Sequence, residues 1–367
     1  MYRTLLRTIL TTISLCAFFS FDLGQIKPVV EIDVTKCWSH QTGDLITKTL
    51  ATDGIRVYSG SSGAKVEALQ FDGKKVWSSE LGGDISSNIL AVDGGLFLVT
   101  STISNTPAAA GGSILRSLSK ETGVTNWALK LSEANKYFLA DFNGFVIVVS
   151  DNGKIASIDA KTGAIKWKRE IAEGFVAEPV FAGDFVTVAA TGNQIFNVSM
   201  ATGEIDSMRK LTFAVTALGR LLNGAVVAGD DRGSVSMIPS GTDKAYWKFK
   251  SGGEISAILP FDGNILTASH DNFVYFLTQR GGLEWKRRLA GRIAQIAPVL
   301  DKFILLSSFE EHGAALIDIS TGKLAGQIAL GSEESLSAKP ISSNGLIFVA
   351  TDEAIYAYSL NGCPQSK

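Results

Sequence analysis

The sequence has little of what catalytic, metal and nucleic-acid sites are built from. It contains only three cysteines and three histidines, no two cysteines are adjacent, and their spacing does not resemble a zinc site. Charged residues make up 19% of the chain, the formal net charge is −2, and there is no long basic block. Nucleic-acid binding therefore has no electrostatic basis, and no nucleic-acid partner is expected.

Proline and helical periodicity are scarce as well. Eight prolines stand against 37 glycines, and beyond residue 25 no stretch sustains the 3.6-residue apolar period of a helix. Hydrophobic residues nevertheless make up 46% of the chain, which is enough for a large core. This combination excludes a disordered chain and a helical bundle, and it indicates many short strands joined by tight turns.

The first 25 residues differ from the rest. Two arginines precede an uncharged run at residues 8–21, which is the pattern of a secretory signal and is short for a membrane-spanning helix. We expect an exported protein of the periplasm or cell envelope, with outer-membrane association as one alternative. Residues 1–25 would be cleaved or kept as a signal anchor, and only an uncleaved segment would contact the membrane. Leu15 precedes Cys16, where a lipoprotein signal places a small residue, so Cys16 is a poor lipidation site.

The tryptophans reveal an internal repeat of about 40 residues. All six fall on one grid, at Trp38, Trp77, Trp127, Trp167, Trp247 and Trp285, and the grid has two further positions, at Ser207 and Gly326. Tight turns precede these positions or follow the last strand, with glycine at Gly73, Gly123, Gly163, Gly203, Gly281, Gly322 and Gly362 and with Asp243 in the fifth repeat. Glycine is expected there because tight hairpins need a positive φ.

Each repeat contains about four short apolar-alternating strands, which is the content of one propeller blade. Eight grid positions predict an all-β, eight-bladed β-propeller of four-stranded antiparallel blades, with seven blades as the alternative. Residues 26–367 would form this single domain. The last repeat ends at Gly362 after its third strand, and an orphan strand stands at residues 29–38. We therefore expect the N-terminal strand to complete the last blade and close the ring.

Two cysteines, Cys37 and Cys363, stand near the two ends of this domain. Ring closure by the N-terminal strand would bring both to one corner of the last blade, within the roughly 7 Å between Cα atoms that a disulfide needs. An exported protein favours such a bridge. The alternative is two unrelated cysteines that merely lie near the termini.

The best copies of the repeat have a recognisable form. Residues 159–163, with Trp167, and residues 119–123, with Trp127, follow a pattern of Asp or Ser, two residues, Thr-Gly, three residues and Trp. This pattern resembles the tryptophan-docking motif of the pyrroloquinoline-quinone-like propeller repeats, and the resemblance covers residues 29–362. It is specific for fold and weak for function.

The resemblance points to two branches. Quinoprotein alcohol dehydrogenases would imply adjacent cysteines over the quinone, a calcium ion held by acidic and amide side chains, and a catalytic Asp; this chain lacks the cysteine pair and the extra length. The BamB branch, propeller lipoproteins of bacterial outer-membrane assembly, agrees in size, blade count and exported start. Its partner-docking loops have only short counterparts here, at residues 170–179 and 209–219.

We therefore expect a non-enzymatic, monomeric scaffold without a cofactor, a catalytic residue or a metal site. Its partners would be other envelope proteins, bound through loops and blade rims. The alternative is a degenerate quinoprotein-type propeller that binds a quinone or carbohydrate, or an enzyme of the quinoprotein dehydrogenase type.

Three features invite a chemical interpretation and have a simpler structural one. The pairs His270-Asp271 and Asp230-Asp231 occupy turn positions, so solvated turns are expected. The insertion at residues 103–112 predicts a surface loop. Basic residues alternate with apolar ones in predicted fourth strands, where they would protect exposed edges or contact a protein, at Lys166, Lys168, Arg169, Lys286, Arg287 and Arg288.

Overall fold

The computed structural model describes residues 32–43, 46–102, 112–310, 312–331 and 334–364. These residues form eight antiparallel sheets, the blades of a β-propeller. The predicted fold class and the count of eight blades are confirmed. The signal-like segment with Cys16 and all of the 103–112 insertion except Gly112 lie outside the described residues. Within the described ranges no helix is long and apolar enough to cross a membrane.

The first strand of the chain, β1 (Thr35–Gln41), is separated from the rest of its blade. Blade 1 contains β2 (Thr47–Thr52), β3 (Arg56–Ser61), a 3-10 turn (Ser62–Ala64), β4 (Lys65–Gln70) and β5 (Lys75–Glu80). Blade 2 contains β6 (Asp84–Ile85), β7 (Leu90–Val92), β8 (Gly95–Thr102), β9 (Gly112–Leu118) and β10 (Thr125–Leu131). Blade 3 contains β11 (Tyr137–Phe142), β12 (Phe145–Ser150), β13 (Lys154–Asp159) and β14 (Ile165–Glu170). Blade 4 contains β15 (Val180–Ala182), β16 (Phe185–Ala190), β17 (Gln194–Ser199) and β18 (Ile205–Lys210).

The second half of the chain repeats the same order. Blade 5 contains β19 (Val215–Arg220), β20 (Val226–Asp230), β21 (Ser234–Ile238) and β22 (Trp247–Lys250). Blade 6 contains β23 (Ile255–Phe261), β24 (Asn264–Ser269), β25 (Phe273–Leu277) and β26 (Leu283–Arg288). Blade 7 contains β27 (Ile293–Val299), β28 (Phe303–Ser308), β29 (Gly313–Asp318) and β30 (Leu324–Ala329). Blade 8 contains β31 (Ile341–Ser343), β32 (Leu346–Ala350) and β33 (Ala354–Ser359), and β1 completes it.

The core lies between the blades. Middle strands such as β20, β32 and β33 are buried at every residue, whereas the fourth strand β14 is exposed at five of its six residues. The apolar clusters cross from one blade to the next; one of them joins Phe276 of blade 6 to Ile304 and Ile317 of blade 7. A single sheet cannot bury both of its apolar faces, so neighbouring blades supply the missing contacts.

Blade 2 departs from the four-strand prediction. Its first-strand position is divided into β6 and β7, and both pairs are made with β8. Between them, the Asn88 side chain donates to the Leu139 carbonyl at 3.0 Å and accepts from the Leu139 N–H at 2.8 Å. The strand is interrupted because these residues bond to blade 3 instead of continuing the ladder.

Every tryptophan of the repeat docks on the following blade. Each indole N–H donates to a turn carbonyl: Trp38 to Phe71, Trp77 to Lys120, Trp127 to Ala160, Trp167 to Met200, Trp247 to Gln279 and Trp285 to Ile319, at 2.7 to 3.2 Å. The indole ring then lies on the turn glycine of that next blade, at Gly73, Gly123, Gly163, Gly203, Gly281 and Gly322. The repeat motif therefore encodes a contact between blades.

Substitution of a turn glycine measures this contact. Gly123 has φ +71°, and a Cβ there would lie 2.4 Å from the Trp77 ring. Gly362 has φ +83° in the corresponding turn of blade 8 and would meet nothing within 4 Å. Both Ala variants carry the backbone cost of about 1–2 kcal/mol, but Gly123→Ala should lose roughly 1–3 kcal/mol more from overpacking. Urea denaturation compares the two, and equal losses would show that the Trp77 ring does not pack tightly on Gly123.

One of the two tryptophan-free positions is covered by the chain's own N-terminal segment. A Cβ at Gly326 would lie 2.7 Å from Val34 Cγ2, and the Ile32 N–H donates to the Ala325 carbonyl at 2.6 Å. The segment crosses the outer strand of blade 7 on its way into blade 8. A tryptophan at position 326 would occupy the same space.

The other tryptophan-free position, Ser207, lies in a polar network. The Asn197 side chain donates to Ser207 Oγ at 2.9 Å, and its carbonyl oxygen accepts from Thr187 at 2.7 Å and from Arg220 Nη1 at 2.7 Å. Two guanidinium groups, of Arg209 and Arg220, lie at this interface, and burial lowers the pKa of both. Blades 4 and 5 are thus joined by hydrogen bonds where other blades use an indole.

The N-terminal strand closes the ring as expected. β1 runs antiparallel to β33, and Thr35 pairs with Ser359 and Gln41 with Ala354. The predicted bounds, 29–38, are wrong at both ends: β1 starts at Thr35 and continues three residues past Trp38, while residues 29–31 lie outside the described residues. In a fourth strand the tryptophan comes early, just after a bulge, as Trp127 does in β10. Trp38 follows the bulge of β1 in the same way, so the strand continues beyond it.

Cys37 and Cys363 form a disulfide across this closure. Their Cα atoms are 5.3 Å apart and 326 residues apart in sequence. Of the two alternatives open from sequence, the structure has the bridge. It connects the closing strand to the chain just beyond the third strand of the same blade.

Candidate functional site

The paired residues singled out from sequence are parts of turns. His270 and Asp271 lie between β24 and β25, and His270 Nδ1 is 3.6 Å from a carboxylate oxygen of Glu254. Asp271 is more than a solvated turn residue, because its Oδ2 accepts from the Gly252 N–H at 2.7 Å and from the Tyr275 hydroxyl at 2.6 Å. Burial alone would raise the pKa of Asp271, but these hydrogen bonds lower it. The carboxylate is held by structural contacts.

Asp230 is the last residue of β20 and is buried, so the expected solvated position is wrong for it. It is 5% exposed, and its Oδ1 accepts from the Arg232 and Ser234 N–H groups at 3.0 and 2.7 Å. The turn of Asp230, Asp231 and Gly233 is therefore closed by its own side chain. Across the described residues, no group of three or more His, Cys, Asp or Glu side chains could hold a metal ion.

The basic residues of the fourth strands are mostly exposed. Lys166 lies 4.1 Å from the centre of the Phe145 ring and Lys286 lies 5.1 Å from that of Phe273. Arg287 donates to the Gly322 carbonyl of the next blade at 3.4 Å. The ammonium groups of Lys166 and Lys286 thus lie over aromatic rings of their own blades, in cation–π contacts.

The first strands of several blades surround a central channel. A cavity of about 360 Å³ is lined by residues of blades 1, 4, 5, 6, 7 and 8, including Lys48, Glu178, Gln295 and Lys339. Lys136 and Glu178 form an ion pair at 2.8 Å at this wall, and Lys48 pairs with Asp84. Of the three charged residues in the described lining, Lys48 and Glu178 are thus ion-paired with residues beside it, and exposed pairs of this kind contribute little to stability.

The channel wall does not fit a calcium-bound quinone. Among the described residues, Glu178 is the one carboxylate in the cavity lining, and two lysines share that lining. The resemblance would require clustered acidic and amide donors below the quinone and adjacent cysteines above it. Neither is found among the residues that surround this cavity.

A buried carboxylate lies where the ring closes. Glu67 is 2% exposed, and its oxygens lie 3.2 Å from His40 Nε2 and 3.1 Å from Lys65 Nζ. Burial alone would raise the pKa of Glu67, but hydrogen bonds from His40 and Lys65 together lower it to about 2. Because His40 belongs to β1, this pair ties the closing strand to blade 1.

A second cleft lies between blades 7 and 8. It has a volume of about 450 Å³ and is lined by Lys36, Ala329, Leu330, Gly331, Glu334, Glu353, Tyr356 and Tyr358. Glu334 is 8% exposed, accepting from the Tyr356 hydroxyl at 2.6 Å and from the Gly331 N–H at 3.0 Å. Sequence reasoning missed this cleft, because its residues come from both ends of the chain and carry no motif.

The tyrosines of this cleft remain protonated over the ordinary pH range. Burial, and then the charge of Glu334, raise the pKa of Tyr358 to about 12. Burial and the hydrogen bond to Glu334 raise the pKa of Tyr356 further. Among the described residues of the cleft, the negative charge therefore comes from Glu334 and Glu353.

Comparison with known proteins gives one family and a fold. The family model described as "Outer membrane protein assembly factor BamB" matches residues 28–140, 112–206 and 231–362. None of the curated proteins gives a significant match. The designed protein Ika8 is similar in structure, with a TM-score of 0.71, 15% identity and coverage of 88% of this chain and 99% of that one. BamB from Moraxella catarrhalis is similar with a TM-score of 0.66, 15% identity and coverage of 91% and 100%. At such identities the two structures show the shared propeller fold alone.

Proposed function

Because this chain belongs to the family of the outer membrane protein assembly factor BamB, we propose that it is a non-enzymatic scaffold of the cell envelope that binds other proteins in outer-membrane protein assembly. The family match extends over most of the ring, so the proposal concerns the whole propeller. Export through the N-terminal segment and an envelope location are parts of the same proposal. Binding would use the loops and the blade rims.

The observation that carries this proposal is a series of exposed apolar side chains on consecutive blades. Ile165 of blade 3 is 51% exposed, Ile205 and Met208 of blade 4 are 48% and 52% exposed, and Tyr246 beside blade 5 is 69% exposed. All four lie on or immediately before fourth strands, among lysines and arginines. Exposed apolar residues bordered by charge are typical of protein-binding surfaces.

Site-specific photocrosslinking tests the proposal. A photoreactive residue at Met208 in the exported protein should yield a crosslinked envelope protein, identified by mass spectrometry as an outer-membrane protein or a component of its assembly. The same residue at Ile55 of blade 1, which is 70% exposed and lies away from blades 3–5, serves as the matched control. Equal crosslinking at both positions, or none at Met208, would count against a binding rim on blades 3–5.

The enzymatic alternative is tested on the same preparation. Pyrroloquinoline quinone with calcium should give no alcohol-dependent dye reduction, because the channel wall lacks the required donors. Measured turnover would overturn the scaffold assignment.

A further inference from the structure

The cleft between blades 7 and 8 combines a buried acid with two aromatic rings. Glu334 lies at its floor, Glu353 at its edge, and the Tyr356 and Tyr358 rings, whose centres are 6.2 Å apart, line one side. Lys36 of the closing strand is the one cation among the described lining residues, and its Nζ lies 5.5 Å from the centre of the Tyr356 ring. Two carboxylates thus face one ammonium group.

The buried acid has no cationic partner in the part of the chain that the structure describes. Among the described residues, no ion pair within 4.0 Å involves Glu334, Glu353 or Lys36. From the described residues the Glu334 carboxylate receives two hydrogen bonds, both from uncharged donors, and a carboxylate can accept more than two. A carboxylate at this depth gains strongly from a charged donor, because the hydrogen bond is charge-assisted and the surroundings screen it weakly.

A similar arrangement of carboxylate, glycine and tyrosine occurs elsewhere in the ring. Between blades 5 and 6, Asp271 accepts from the Gly252 N–H and the Tyr275 hydroxyl, as Glu334 does from Gly331 and Tyr356. Each glycine lies two residues beyond a fourth strand, and each tyrosine is the third residue of a third strand. The carboxylate, glycine and tyrosine therefore form a recurring link between blades.

The residues at corresponding positions beside the two links differ. At blades 5 and 6 the Phe249 ring packs edge-on against Tyr275, with centres 5.1 Å apart. Phe249 pairs with the second residue of β21, and Ile328 of blade 7 pairs with the second residue of β29. Ile328 therefore occupies the corresponding position in blade 7. The link between blades 7 and 8 borders a cavity of about 450 Å³, whose lining includes Gly331, Glu334 and Tyr356 and which is large enough for a side chain of a partner.

We propose that this cleft binds a lysine or arginine side chain of a partner protein, with Glu334 and Glu353 as its anionic acceptors and the tyrosine rings as its walls. The inference rests on the proposed scaffold function for the identity of the partner, and on the cleft alone for the chemistry. An ammonium or guanidinium group bonds to the carboxylates and lies against the electron-rich faces of the rings. Lys36 competes with the ligand for the same negative charge.

The test uses small probes in place of the partner. N-acetyl-arginine methylamide and N-acetyl-lysine methylamide are titrated into the folded protein and followed by NMR, with N-acetyl-norleucine methylamide as the neutral control. We expect dissociation constants in the millimolar range for the cations, with shifts at the residues of the cleft. No preference over norleucine would overturn the proposal.

Variants of the cleft identify the acceptors. Glu353→Gln, at an exposed side chain, and Glu334→Gln, which keeps the shape of the acid, should each weaken binding about tenfold. Lys36→Gln should strengthen binding because it removes the competing charge. Asp271→Asn is the matched control, since it changes the same kind of link between blades 5 and 6, away from the cleft, and it should leave probe binding unchanged.

These outcomes are independent of the photocrosslinking. If the variants bind the probes in the expected order, the cleft is a site for cationic side chains, whether or not the rim of blades 3–5 crosslinks to a partner. If all variants bind the probes equally, the proposed cation site is wrong, even where the scaffold proposal holds.

Discussion

Removal of β1 should cost the protein most of its stability. A chain that starts at residue 43 loses the whole ladder with β33, the Trp38 indole that donates to Phe71, and the contact between His40 and Glu67. Loss of a large aromatic side chain from a packed site alone costs about 3–5 kcal/mol, and the total stability of a domain is about 5–15 kcal/mol. The exposed edge of β33 should also promote aggregation.

The comparison is with a chain that starts at Ile32, measured by thermal unfolding and by light scattering. A synthetic peptide of residues 32–43 should restore part of the lost stability by pairing with the free edge, as added strands do on open sheets. The same peptide with Trp38→Ala should restore less. If the shortened chain melts at the same temperature as the reference, β1 does not hold the ring closed.

The disulfide should contribute the second large effect. Cys37 and Cys363 close a loop with a sequence separation of 326 residues, for which the chain-entropy model gives about 6 kcal/mol. Measured contributions of disulfides are commonly about 2–4 kcal/mol. We expect the double variant Cys37→Ser, Cys363→Ser to unfold at markedly lower denaturant concentration, because its unfolded state regains the freedom of separate chain ends.

Non-reducing mass spectrometry of the exported protein should find one peptide pair linked through Cys37 and Cys363. Dithiothreitol supplies the matched control: it should lower the stability of the natural protein and leave that of the double variant unchanged. A free thiol at both positions in the exported protein would contradict the bridge. Equal stability of the natural protein and the variant would show that β1 pairing closes the ring unaided.

The fold was predictable because its signals are local. A positive φ at Gly163 and the Asp159 side chain that accepts from Thr162 are set by residues within one turn. The alternation of apolar residues in β13 requires only its own strand. Repetition of such short signals eight times was enough to count the blades.

The candidate sites were less predictable. The cleft between blades 7 and 8 joins Lys36 to Tyr356, residues from opposite ends of the chain. Its lining also takes Gly331 and Glu334 from the connection between blades 7 and 8, where no repeat motif falls. The chemistry of such a site arises from proximity, and proximity across blades leaves no spacing in the sequence.

The sequence by itself determined the number of blades, the turns and the tryptophans that dock one blade on the next. The tertiary structure decided what occupies the two positions without tryptophan: the N-terminal segment at Gly326 and the polar network at Ser207. It also decided where β1 begins and ends. The physical reason is distance along the chain: a turn or a strand depends on neighbouring residues, whereas Val34 reaches Gly326 only after the ring has closed.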